Sequence, residues 1–178
     1  MPRIANRQTA LKPQDFYLLL ALLARKDAAV SYPDLAVQTG LAPSAIHSAL
    51  KRAAAARLLM FQERKPVLLK PQLHEFLLHG AKYAFPPVWG TLTRGVPTAY
   101  AAAPLDAIIA PSTDPAPVWP HAKGTVRGLS LAPLYPSAPE AAMKDGDLYA
   151  LLALFDALRS GQARERNAAA ELLEKYFQ

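Results

Sequence analysis

Pro33, Gly40 and Pro43 fall within one short stretch between Ser31 and Leu69. They punctuate it so closely that few local structures fit. Ser31 or Tyr32 stands where a helix cap is needed, Pro33 lies in the first turn, and Asp34 complements the positive helix end. Leu35, Ala36 and Val37 supply the side to be buried. Gly40 stops this helix, because glycine takes the left-handed conformation of a C-terminal stop, and Leu41 turns inward. Pro43 starts a second helix, expected over residues 43–57. At about 100° per residue, Ile46, Leu50, Ala53 and Leu58 gather on one side. Ser44, Ser48, Lys51 and Arg52 fall opposite, with Ala45 and His47 at the edges. Two apolar runs then follow, Leu58–Gln62 and Val67–Leu69, flanking the charged tip Glu63-Arg64-Lys65-Pro66, as in a short hairpin.

Helix, glycine turn, helix and hairpin in this order spell a helix-turn-helix with a wing. The residues Ala36, Gly40, Leu41, Pro43, Ser44 and Ile46 match a recurrent Ala-x-x-x-Gly-Leu-Ser-Pro-Ser-Thr-Val pattern. On that pattern, residues 10–80 resemble the winged helix-turn-helix of bacterial MarR-like transcriptional regulators. The match departs at Ala42, where a capping Ser is usual, and at Arg57, where Gly is usual. The missing cap costs about 0.5–2 kcal/mol. The resemblance implies double-stranded DNA as partner, with the helix over 43–57 in the major groove. The expected contacts are Ser44, Ala45, His47, Ser48, Lys51 and Arg52 from that helix, with Arg64 and Lys65 on the flanking backbone.

The charge follows the motif. Residues 1–80 hold eleven Lys/Arg against five Asp/Glu, which is the whole net charge of +6; residues 81–178 hold nine of each. A basic half suits a polyanion, since each neutralised phosphate releases counterions. There is no cysteine, which excludes disulfides, thiolate metal sites and cysteine nucleophiles. No run of about 18 apolar residues offers a membrane span, and the first residues lack the apolar stretch of a secretory signal. A cytoplasmic protein is expected.

The expected fold is mainly α, in four parts. Residues 1–11, with Arg3 and Arg7, form a flexible basic arm. Residues 12–85 form the winged helix-turn-helix domain. Its first helix starts at Pro13, buries Phe16, Leu19, Leu20, Leu22 and Leu23, and ends near Lys26 or Asp27. Its last starts at Pro71 and ends at Gly80, and these two helices offer a dimer contact. Residues 86–139 carry eleven of the 17 prolines and both tryptophans, so extended or irregular chain is expected. Ile108–Pro111 and Leu129–Leu131 are candidate short strands. An echo runs through this part: Pro87-Val88-Trp89 returns as Pro117-Val118-Trp119, and Arg94-Gly95 as Arg127-Gly128. It reads either as paired, pseudo-symmetric extended segments or as chance. Residues 140–178 return to helix, with Asp147 as a cap, and form a possible dimerisation region.

No catalytic, metal-binding or cofactor site is expected. Asp145-Gly146-Asp147 is a turn and helix cap. His74 and His79 do not share a helix face, Glu75 and His79 are placed to pair, and His121 has no evident carboxylate partner. No phosphate-binding glycine loop occurs. The leading expectation is a DNA-binding regulator, acting as a homodimeric repressor. The alternative is a protein-interaction module, such as the neutralising partner of a toxin–antitoxin pair, that holds a protein through residues 86–139. A third reading has Trp89 and Trp119 lining a ligand pocket.

Overall fold

The computed structural model describes residues 9–26, 30–110 and 112–178. Of the expected arm, Arg3 and Arg7 lie outside the described residues, while Leu11 already packs against the core. Helix α1 spans Pro13–Ala24. Asp15 sits in its first turn and accepts from the Lys12 backbone N–H at 2.8 Å. Every residue from Asp15 to Ala24 is buried. A helix apolar all round belongs inside a core rather than on a surface, so α1 is not available for the expected dimer contact.

Helix α2 spans Tyr32–Thr39 and is capped as expected. The Ser31 hydroxyl accepts from the Asp34 N–H, and Gly40 closes the helix at φ 69°. Its buried side is Leu35 and Thr39, four residues apart. Val37 points the other way and is 85% exposed, which corrects its place on the buried side. Helix α3 spans Pro43–Ala55, with Ile46, Ala49, Leu50 and Ala53 buried. Ala42 gives it no side-chain cap. Strands β1 (Leu59–Gln62) and β2 (Lys65–Leu68) form an antiparallel pair, with Gln62 opposite Lys65.

Helix α4 (Lys70–Glu75) runs into a π-helical turn over Phe76–Gly80 and then α5 (Ala81–Ala84). Gly80 therefore does not end the helix. A Cβ there would stand 2.8 Å from the Phe76 ring, so glycine makes room for that ring. Phe76 in turn meets Phe16 edge-on at 5.5 Å.

The proline-rich part builds a small three-stranded cylinder. Strand β3 (Trp89–Pro97) pairs antiparallel with β4 (Pro117–Pro120) and with β5 (Val126–Leu131), while β4 and β5 pair in parallel. Only part of the echo is paired: Arg94 lies directly opposite Arg127, while the Pro-Val-Trp copies do not face one another, since Trp89 pairs with Leu131 and Trp119 with Val96. Its two glycines share a cause. A Cβ at Gly95 would meet the Trp119 carbonyl, and one at Gly128 the Ala116 carbonyl, so strands this close need glycine at the crossing. Residues 108–110 form no strand; they follow a 3₁₀ turn over Leu105–Ala107.

Helices α6 (Ala138–Ala142), α7 (Gly146–Ser160) and α8 (Ala163–Leu173) complete the chain. The cap of α7 is Asp145, which accepts from Leu148 N–H at 3.0 Å; Asp147 instead meets Lys26 at 3.1 Å. Leu151 to Leu158 are all buried, so α7 is a second interior helix rather than a dimer surface. Phe16 packs on Phe155 at 4.9 Å and on Phe85 at 5.5 Å. One apolar cluster runs from Phe16 through Leu50, Leu77, Trp119 and Phe155 to Leu173. Residues of the parts 12–85, 86–139 and 140–178 thus share a single core.

Asp156 is a buried carboxylate of that core. It accepts from Trp119 Nε1 at 2.6 Å, Thr98 Oγ1 at 2.7 Å and Arg159 Nε at 2.7 Å. Burial pushes its carboxyl up, against the downward pull of Arg159, Thr98 and Trp119. Three donors meeting one buried carboxylate tie the residue just past β3, strand β4 and helix α7 together. Trp119 is therefore a structural donor at one end of β3, and Trp89 lies at the other end, so the two tryptophans do not share a ligand pocket.

Candidate nucleic-acid interface

The positions of α2 and α3 are set by the turn between them. Gly40 N–H donates to Ala36 O at 2.9 Å, and Thr39 Oγ1 donates to Leu35 O at 2.6 Å. The Thr39 carbonyl receives two outside donors, Tyr17 Oη from α1 at 3.0 Å and Ser137 Oγ beside α6. Burial in this contact pushes the Tyr17 hydroxyl pKa well above its usual value. A Cβ at Gly40 would lie 3.1 Å from Ser137 Cβ. The turn is therefore held from both halves of the chain.

The outer face of α3 carries Ser44, His47, Ser48 and Lys51, all exposed, with Ala45 half-buried at its edge. Among the described residues no ion pair or hydrogen bond engages the Ser44, Ser48 or Lys51 side chains. Hydroxyls and an alanine keep the N-terminal part of this face low, which suits close approach to a groove. Tyr32, at the start of α2, meets the His47 ring edge-on at 6.5 Å. Tyr32 thus borders the face, a placement that sequence spacing within α2 alone does not reveal.

Arg52 does not belong to this face. Its Nε and Nη2 each bind a different oxygen of Asp15, both at 2.7 Å, and Asp15 is fully buried. The helical wheel set Arg52 opposite Ile46, but a long side chain can turn back along its own helix and reach a buried carboxylate on α1. Its charge is spent inside the molecule.

The hairpin turns through Glu63 and Arg64, both with positive φ, 49° and 65°. Two-residue hairpin turns of this shape normally use Asn-Gly, and a non-glycine residue held there stores strain. Arg64 and Lys65 are exposed at this tip. Arg57, just past α3, also adopts positive φ, 58°, at a position where glycine is the relaxed choice. Beside it, Gln72, Glu75, Phe76 and His79 line a shallow pocket of about 450 Å³.

Other polar clusters are structural contacts. His74 Nε2 lies 2.7 Å from a Glu174 carboxylate oxygen, so the contact at this helix is not the Glu75–His79 pair expected from spacing. His121 has Glu140 at 3.4 Å, a partner that sequence did not reveal. Asp145 accepts from Gln38 Nε2 at 2.8 Å as well as capping α7. Among the described residues, no three His, Asp or Glu side chains gather as a metal site, and no helix is long and apolar enough to cross a membrane. No protein-family model matches the chain, and none of the curated proteins or solved structures compared with it is similar.

Proposed function

We propose that the chain is a DNA-binding regulator of the winged helix-turn-helix kind, with α3 entering the major groove and the β1–β2 hairpin lying along the adjacent backbone. The observation that carries this reading is the outer row of α3. Ser44, Ser48 and Lys51 face solvent without side-chain partners among the described residues, His47 is exposed beside Tyr32, and the hairpin tip with positive φ bears Arg64 and Lys65. The surplus of positive charge on residues 1–80 supports it. Few groups on this face can read base edges, so phosphates supply much of the affinity and DNA shape much of the selectivity. α1, one of the two N-terminal helices expected to join two copies, and α7, within the expected dimerisation region 140–178, are buried in the chain's own core, and a homodimer forms no part of this proposal.

The test is selection of genomic duplex fragments on the full chain, followed by titration of the best fragment over a range of salt. Lys51→Ala with Arg64→Ala and Lys65→Ala is expected to weaken binding and reduce the log–log salt slope by about 3, near one per lost phosphate contact. An unchanged slope, or no fragment bound above the level of random duplex, would overturn the assignment.

A further inference from the structure

We infer that the outer face of β3 and β5 is a docking surface for an acidic, aliphatic segment of a partner protein. Arg94 and Arg127 are direct cross-strand neighbours and both are exposed. Among the described residues neither guanidinium takes a hydrogen bond or an ion pair. Like charges directly opposite one another on a sheet are unfavourable, so this pair stands open for carboxylates. Leu92 and Leu129 are the next pair along the same face, with Leu92 51% exposed.

A β-bulge then decides what joins them. Gly90 and Thr91 of β3 span the single residue Ser130 of β5, which sets Trp89 opposite Leu131. Without that extra residue Trp89 would alternate to the other face; with it, Trp89 falls in line with Leu92 and Arg94. Trp89 is 44% exposed there. β4 pairs only with Gly95–Pro97 of β3, so the stretch carrying Trp89 and Leu92 has strand β5 on one side and no strand on the other. Tryptophan and arginine are the residue types enriched at protein interfaces, and an extended segment can add to such a strand edge.

Charge complementarity selects the occupant. Two cations without counter-charges call for carboxylates, and the exposed Trp89 and Leu92 call for aliphatic side chains between them. Nucleic acid fits less well, because residues 81–178 carry nine charges of each sign and offer no general surplus for a phosphate backbone. This surface is separate from α3 and stands whether or not the chain binds duplex DNA.

The test uses a displayed library of random dodecapeptides selected on the full chain, with counter-selection on Arg94→Glu/Arg127→Glu. Enriched peptides are expected to combine Asp or Glu with aliphatic residues. A synthetic consensus peptide is expected to blue-shift Trp89 emission, to lose at least about ten-fold in affinity against the double variant, and to regain it when its acids are changed to Lys. Should the reversed pair unfold, Arg94→Gln/Arg127→Gln serves in its place. No enrichment of acidic peptides, affinity unchanged in the variant, or tighter binding of a single-stranded oligonucleotide through the same arginines would overturn the proposal.

Discussion

Lys51 and Arg52 stand side by side on α3 with the same charge. Lys51 reaches solvent, while Arg52 grips both oxygens of Asp15, a residue with no exposed surface. Removing Arg52 leaves a buried carboxylate with, among the described residues, the Lys12 N–H as its one remaining donor. Arg52→Ala is therefore expected to destabilise the chain by about 3 kcal/mol, the low end for a buried pair, since Arg52 retains some exposure. Lys51→Ala changes stability by less than about 0.5 kcal/mol. Urea unfolding of the two variants checks this, and near-equal midpoints would refute the buried-pair role. The contrast also sets how DNA contacts are probed: loss of binding in Arg52→Ala reports on folding rather than on recognition. Residue spacing placed Ser44, Ser48 and Lys51 correctly on the outer face, and His47, expected at its edge, is exposed with them. It misplaced Arg52 because periodicity follows Cβ directions, and the reach of a guanidinium exceeds them.

Among elements, those with local signals behaved as read. Pro13, Ser31, Gly40 and Pro43 mark real helix ends, because caps and stops satisfy backbone groups within one turn of themselves. Gly80 misled for a related reason: its lack of a side chain answers a ring packed over it, which looks in sequence like a stop. The β1–β2 hairpin turns through Glu63 and Arg64 where Asn-Gly would relax the backbone. Glu63→Asn with Arg64→Gly is expected to raise stability by about 1 kcal/mol, and to weaken duplex binding through the lost cation. Thermal melts and the salt titration together check this pairing of opposite effects. A stabilised variant with full affinity would remove Arg64 from the interface.

At the scale of the molecule, α1 and α7 are the two interior helices on which both halves close. Tyr149 on α7 donates to Pro97 O at 2.6 Å and so fastens the cylinder to the helical core. Burial pushes the Tyr149 hydroxyl up to about 12 from its ordinary 10.0. A raised pKa means the folded state favours the protonated phenol. Its contribution is complete below pH 10, the unfolded value, and fades as pH rises towards 12. Urea midpoints compared below pH 10 and near pH 12 are expected to fall further for the native chain than for Tyr149→Phe. Equal falls would show that the phenol does not carry this link. The same closure reaches the turn before α3: Ser137, from the far end of the sequence, donates to Thr39 O.

What the sequence by itself determined is everything written within a few residues. That covers the mainly α class, the start of α1, the α2–Gly40–α3 order, the hairpin, the absence of cysteine chemistry and the basic bias of residues 1–80. Only the tertiary structure decided how the Arg-Gly echo pairs, which tryptophan is buried, which arginine on α3 is free, and that α1 and α7 share one core. The physical reason is separation along the chain. A cap or a turn is satisfied by its neighbours, whereas a buried carboxylate such as Asp15 or Asp156 is satisfied by a donor that only the folded chain brings near.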